Sequence, residues 1–403
     1  MRRGERPEVK TFTARSLSPL KTQPIVGRGA LFQHCGDRDP FRRRPPDALK
    51  AGRAEGQPGE NDECGPAPPR SKQGPFQSAS RSGHYQGLNI FMPRVDIRAL
   101  EPHSTAKATT GWLSGPLKAL DDPEGVRVPS QLPPIIDAHV HLFPDRLFEA
   151  IWSWFDNYGW PIRYKLHTPQ VLQFLFSRGI ERVVGLLYAH KPGVARALNN
   201  FMIDVCSADS RVWGLATVFP GEEGAGAILD QAFRAGLKGV KLHCHVQCVG
   251  PDDPAMHEVY SACEEAQKTL VMHAGREPAS PHYRCDAHRI CSVELIEHVL
   301  RDHPRLRLCI PHLGADEFRD YERLIERYDN LWLDTTMALA DYFPIPTPVR
   351  LLQARPERIL YGTDFPDLPY AWDRELRKLL ALGLPENDLT QILGQNAAAL
   401  FDS

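Results

Sequence analysis

No stretch of the 403 residues approaches the roughly 18 consecutive apolar residues that a membrane-spanning helix needs. Nor does Met1-Arg-Arg-Gly-Glu-Arg open onto the apolar core and small-residue cleavage site of a secretory leader, so we expect a cytoplasmic protein with no membrane partner. The chain also lacks any CxxC pair. Its nine cysteines are odd in number and scattered from Cys35 to Cys309, which fits free thiols in a reducing compartment better than a disulfide framework. No Gly-rich phosphate loop follows the first apolar run, so a doubly wound dinucleotide-binding sheet has no support. A basic body is missing too. Residues 1–98 carry 18 Lys+Arg against 10 Asp+Glu, so the overall net charge of −2 leaves −10 for residues 99–403. An acidic body argues against nucleic acid as a partner, because binding the phosphate backbone needs a basic face.

From Met1 to about Ser130 no apolar period of 3.6 or 2 is sustained, while Pro, Gly, Arg and Ser recur, as in Phe41-Arg-Arg-Arg-Pro-Pro. Such a stretch cannot bury enough apolar surface to offset chain entropy. We therefore expect residues 1–130 to be a disordered or non-native extension, and residues 131–403 to form the folded domain. Met92 is the only methionine between Met1 and the first chemical motif, and a start there would make residues 1–91 an over-extended reading frame.

From Ile135 onward the texture changes. Eight short apolar runs appear, at Ile135-Ile-Asp-Ala-His-Val-His, Arg182-Val-Val-Gly-Leu-Leu-Tyr, Val212-Trp-Gly-Leu-Ala-Thr-Val, Gly239-Val-Lys-Leu-His, Leu270-Val-Met-His, Leu306-Arg-Leu-Cys-Ile-Pro-His, Leu331-Trp-Leu-Asp-Thr-Thr and Ile359-Leu-Tyr-Gly-Thr-Asp. Between them lie stretches with apolar residues at i, i+3, i+4 spacing, such as Val194–Ala208, Ala227–Ala235, Met256–Lys268, Ser292–His303, Glu317–Tyr328 and Trp372–Leu382. Strands alternating with helices imply parallel pairing through right-handed crossovers. Eight such units predict an α/β protein with a (β/α)₈ barrel, closed by Leu389–Phe401 as its last helix.

In such a barrel the chemistry gathers at the C-terminal ends of the strands. Strand 1 ends in His139-Val140-His141, and alternation sends residues i and i+2 to one side, so both imidazoles can face one metal ion. Strand 5 ends in His273, strand 6 in His312 and strand 8 in Asp364. Imidazole nitrogens and a carboxylate form a set that Zn²⁺ or another divalent metal accepts. We assign His139, His141, His273 and Asp364 as metal ligands, one ion per chain. His167, His257, His298 and His303 fall beside or within expected helices and read as structural.

The segments Asp137-Ala-His-Val-His, Val240-Lys-Leu-His, His273-Ala-Gly, Pro311-His-Leu-Gly, Tyr361-Gly-Thr-Asp-Phe-Pro and Ile392-Leu-Gly-Gln-Asn-Ala-Ala-Ala-Leu-Phe together resemble the amidohydrolase superfamily. More closely, residues 134–402 resemble its amidohydrolase-related branch, which includes aminocarboxymuconate semialdehyde decarboxylase and related lactonases. The resemblance implies a metal-dependent barrel enzyme that hydrolyses carbon–oxygen or carbon–nitrogen bonds, or removes carboxyl groups. In that family the strand 6 histidine stands outside the ligand set when one metal is present and joins it when two are. A carboxylated lysine at the end of strand 4 bridges the pair of ions.

Chemistry then suggests roles. Asp364 would take a proton from water and deliver it to the leaving group, and His312 would hydrogen-bond the water or a developing oxyanion. Lys241 lies two residues before His243, hence deeper in the barrel, which favours one metal and makes Lys241 an inward cation for Asp364 or substrate. His243 would line the pocket. The neighbouring donors Cys244, His245 and Cys248 have no second ligand pair at finger spacing, so a zinc knuckle is disfavoured. Arg276-Glu-Pro-Ala-Ser-Pro-His-Tyr-Arg-Cys-Asp-Ala-His288 has the length and irregularity of an active-site lid, in which Arg276 and Arg284 could clamp a substrate carboxylate. Trp152, Trp154, Phe155, Tyr158 and Trp160 could wall an apolar pocket, although helix packing explains most of the stripe.

The expected function is thus a cytoplasmic metal-dependent hydrolase of a small molecule, a carboxylate among the candidates, and a homodimer is allowed. Two rivals remain: a non-oxidative decarboxylase with the same ligands, in which His312 or metal-held water protonates the substrate, and a barrel that binds a ligand without catalysis.

Overall fold

The structure, a computed structural model, describes residues 121–342 and 348–402. The expectations for residues 1–120, including the start at Met92, lie outside the described residues. Eight parallel strands occur at the eight apolar runs: β1 Ile136–His141, β2 Arg182–Leu186, β3 Val212–Gly214, β4 Gly239–His243, β5 Thr269–His273, β6 Arg307–Ile310, β7 Leu331–Asp334 and β8 Ile359–Leu360. Neighbours in sequence pair in order, β1-β2-β3 and β4-β5-β6-β7-β8. The bridges Ala216–Val240 and Val140–Phe365 join the two groups at both seams, so the sheet closes into a (β/α)₈ barrel. Nearly every strand position is buried, because side chains pointing inward fill the barrel and those pointing outward meet the helices.

Several strands are shorter than their apolar runs, each for a local reason. Thr217 leaves the β3 ladder because its backbone N–H donates to Asn199 Oδ1 at 2.8 Å. After β6, Pro311 has no N–H to give, and His312 turns to a φ of +58°. Past β8 the chain still follows β1: Ala138 N–H donates to Tyr361 O at 2.8 Å, Asp364 N–H to His139 O at 2.9 Å and His141 N–H to Phe365 O at 2.8 Å.

Helices stand at the expected amphipathic stretches, at Ala195–Ala208, Ala225–Arg234, His257–Ala266, Val293–Asp302, Phe318–Arg327 and Arg374–Ala381. The last helical stretch runs through Glu386–Thr390, a π turn at Gln391–Gln395, and Asn396–Phe401. Asn396 Nδ2 donates to Pro356 O and Ile359 O, both at 2.7 Å, which ties this end of the chain to β8. Upstream of the expected start at residue 131, Gly125 N–H donates to Asp373 Oδ2 at 2.9 Å, and Trp372 Nε1 donates to Gly125 O at 2.9 Å. Among the described residues, no helix is long and apolar enough to cross a membrane.

Candidate metal centre

β1 ends in the two histidines, and its alternation delivers both to the barrel mouth. His139 is anchored from behind, with Nδ1 at 2.8 Å from Asp334 Oδ2 at the end of β7. A carboxylate can only accept, so His139 Nδ1 carries the proton and Nε2 presents a lone pair. That Nε2 lies 3.3 Å from Lys241 Nζ and 3.3 Å from Asp364 Oδ1. His141 Nε2 reaches the same Asp364 oxygen at 3.0 Å. Asp364 is held just past β8 in the left-handed region, φ +77°, which turns its carboxylate across the mouth.

The other oxygen of Asp334, Oδ1, accepts from the His312 N–H at 3.0 Å, so one carboxylate places both the β1 and the β6 histidines. Asp137 sits beneath, accepting from the His139 and Thr363 N–H groups at 3.1 Å each and from the Thr363 hydroxyl at 2.6 Å.

Electrostatics favours ligand-ready forms. Burial, and next the Lys241 cation, push His139 down to about 4, so it is neutral at pH 7. Burial lowers Lys241 to about 8, against the pull of Asp334 and Asp364. Burial works to raise Asp364, but the hydrogen bond from His141 and the electrostatic attraction of the His141, His139 and His312 rings outweigh it and hold the carboxyl well below the usual range. Burial raises Asp137 to about 7 despite its three donors.

A second group of rings adjoins the first. His273 stacks on His243 with centroids 4.1 Å apart and meets His245 edge-on at 4.7 Å. His273 Nδ1 and His312 Nε2 are 3.0 Å apart, and His312 Nδ1 lies 3.0 Å from Thr336 O. Burial lowers His312 and puts His243 and His273 well below the ordinary imidazole value.

The structure thus brings His139, His141 and Asp364 together, their ligand atoms within 4.8 Å of one another. Lys241 is fully buried against His139, and His312 stands on Asp334 and Thr336. His273 groups with His243 and His245, again within 4.8 Å. Arg276 is engaged elsewhere, forked onto Asp316 at 2.8 and 3.1 Å and within 3.4 Å of Glu317. The rest of its segment leans on the helix Asp145–Tyr158: Tyr283 stacks on Trp154 at 5.2 Å and His282 on Tyr158 at 4.1 Å.

Sequence reasoning passed over Asp334 and Thr336, gave Asp137 no role beyond its motif, and weighed His245 only as part of a zinc knuckle. Asp334 had a signal, since it closes an apolar strand as Asp364 does. Thr336 acts through its backbone carbonyl and had none.

Two imidazoles and one carboxylate, all buried, form a donor set suited to Zn²⁺, Mn²⁺ or Fe²⁺. His141 Nδ1 is also buried without a protein partner. A closed parallel barrel with this trio at its C-terminal mouth defines a class, barrels able to hold a divalent cation on their catalytic face.

The chain belongs to the amidohydrolase family, whose model matches residues 136–402. Comparison with curated proteins finds no match. Among solved structures, 5-carboxyvanillate decarboxylase from Novosphingobium aromaticivorans, complexed with manganese and 4-hydroxy-3-methoxy-5-nitrobenzoic acid, is similar at TM-score 0.51 and 15% identity, covering 70% of this chain and 99% of that one. A 2,6-dihydroxybenzoate decarboxylase complexed with 2,6-dihydroxybenzoate is similar at 0.50 and 15%, covering 68% and 100%. An uncharacterized TIM-barrel protein from Bordetella bronchiseptica is similar at 0.50 and 21%, covering 66% and 98%. At these identities the likeness is one of fold.

Proposed function

We propose that this protein is a metal-dependent hydrolase acting on a carbon–oxygen or carbon–nitrogen bond of a small molecule, with a divalent cation such as Zn²⁺ or Mn²⁺ held by His139, His141 and Asp364. When bound, such an ion polarises a substrate carbonyl and makes water easier to deprotonate.

One observation carries hydrolysis over decarboxylation, the tautomer of His312. Thr336 O can only accept, so the proton of His312 sits on Nδ1, and its Nε2 lone pair accepts from His273 Nδ1 at 3.0 Å. Burial keeps this ring neutral, so His312 has no proton to give from Nε2. Asp364, held ionised, is a proton acceptor at the mouth. An ionised carboxylate suits the activation of water. Protonating a substrate carbon ahead of loss of carbon dioxide needs a donor instead. Lys241 is the nearest cation, but it is fully buried against His139, where it steadies the lone pair and the charge of Asp364 rather than meeting substrate.

The decarboxylase reading rests on a different observation: two of the similar structures are decarboxylases of hydroxybenzoate-type acids, one of them with manganese. A small carboxylate is therefore a substrate class to test in both readings. The metal-loaded chain is to be offered lactones, amides and hydroxybenzoates while ring opening and carbon dioxide release are followed. Hydrolysis is expected, and Asp364→Asn should lower kcat by about 10²–10⁴-fold while keeping part of the metal, since an amide oxygen coordinates but carries no proton. Carbon dioxide release without any hydrolysis, unchanged in Asp364→Asn, would replace this reading with the decarboxylase.

A further inference from the structure

Four cysteines gather in two pairs at the short helical turn Cys244–Gln247 that follows β4. Cys244 and Cys291 are hydrogen-bonded to each other, and Cys291 also to the His245 side chain. That pair is sealed in the core, its residues 2% and 0% exposed. Cys248 and Cys285 are hydrogen-bonded to each other as well, but both are only half-buried.

The backbone builds the second meeting. Cys248 ends the turn in the left-handed region, φ +55°, and its thiol returns to His245 O, three residues back, at 3.6 Å. Cys285 arrives from the segment after β5 and donates to the same oxygen at 3.4 Å. Two thiols 37 positions apart in the chain thus converge on one carbonyl. Burial, and next the Cys248 hydrogen bond, push the Cys285 thiol up, so Cys285 keeps its proton and Cys248 is the sulfur left to attack.

The segment that carries Cys285 reaches the barrel mouth. Tyr283, two residues earlier, meets the His245 ring edge-on at 5.3 Å and stacks on Trp154 at 5.2 Å, and the charge of Asp364 acts on its hydroxyl. Ring contacts and hydrogen bonds are weak restraints on such a segment, and a covalent bond to the β4 turn is a strong one.

We propose that Cys248 and Cys285 form a redox modification site, a dithiol that a low-molecular-weight disulfide such as oxidised glutathione converts to an intramolecular disulfide, tying residues 276–288 to the turn after β4. Cys248, its proton lost to water, attacks one glutathione sulfur, forming a mixed disulfide and releasing a glutathione thiolate that takes up the Cys285 proton. Cys285 Sγ then attacks Cys248 Sγ and expels the second glutathione, which is protonated by water. Two protein thiols are oxidised and one small disulfide is reduced to two thiols. The proposal depends neither on the reaction at the mouth nor on which histidines hold a metal there.

The test incubates the full-length chain with excess oxidised glutathione, quenches it with N-ethylmaleimide and maps its peptides by mass spectrometry. Wild type is expected to lose two hydrogens to a bond between Cys248 and Cys285, with Cys244 and Cys291 still thiols. Cys285→Ser keeps a hydroxyl donor for His245 O and should trap one glutathione on Cys248, whereas Cys248→Ser should form no bond at Cys285. Hydrogen exchange across residues 276–288 should slow by about tenfold in the oxidised wild type, because the bond lowers the open population of the segment, and dithiothreitol should restore the original rate. Should either variant fail to fold, as read by circular dichroism, the wild-type peptide map and exchange rates decide. Glutathione retained on Cys248 or Cys285 of wild type with no bond between them, both thiols left unmodified, or exchange unchanged once the bond has formed, overturns the proposal.

Discussion

Asp334 holds two histidines with its two oxygens, and that double use makes it a positioning residue with a measurable signature. Its hydrogen bond fixes the tautomer and the orientation of His139, and such partners typically contribute 10–100-fold to metal affinity. Asp334→Ala is therefore expected to weaken Zn²⁺ binding by about that factor, read by competition with a chromophoric chelator; unchanged affinity would mean that His139 is placed by packing alone. Asp137 gives a pH prediction at the same scale. Its folded carboxyl keeps the proton up to about 7, whereas an unfolded aspartate releases it near 4. Between those values the folded state binds more protons, so this group's contribution to stability is full below about pH 4 and fades as pH rises toward 7. Asn can keep all three contacts, because its amide oxygen accepts the two N–H groups and its NH₂ can donate to the Thr363 hydroxyl. In the metal-free protein, Asp137→Asn should flatten the fall in Tm over that window, and an unaltered slope would show that Asp137 is ionised in the fold.

At the scale of elements, the site depends on how closely β1 and the end of β8 approach. A Cβ on Gly362 would meet Thr336 Oγ1 and come within 2.8 Å of the Cβ of His139. Overpacking of this kind costs about 1–3 kcal/mol, and here the displaced residue is a proposed ligand. Gly362→Ala should thus lower both Tm and metal content; a variant with normal metal content would show that the seam can open without moving His139. The strand periods were legible because each apolar run is buried on both faces. Their ends were less so, since Thr217, Pro311 and His312 leave the ladder through a side-chain acceptor, a missing N–H and a left-handed turn. None of these alters the hydrophobic pattern.

At the scale of the whole molecule, the closed sheet of residues 136–365 and its helices account for the buried core among the described residues. A chain beginning at Met92 is expected to fold with unchanged Tm and full metal content, as measured by calorimetry and elemental analysis; precipitation or loss of metal would assign residues 1–91 a part in the fold. The sequence by itself determined the eightfold alternation, the barrel and the family resemblance, and it marked His139, His141, His273 and Asp364 as strand-end donors, because periodicity and ligand chemistry are local properties. Only the tertiary structure decided which donors meet. It set His273 beside His243 and His245, turned Arg276 onto Asp316, and brought in Asp334 and the Thr336 carbonyl to fix the protons of the rings. Those choices depend on register between strands far apart in the chain and on backbone carbonyls, which every residue carries and no motif marks.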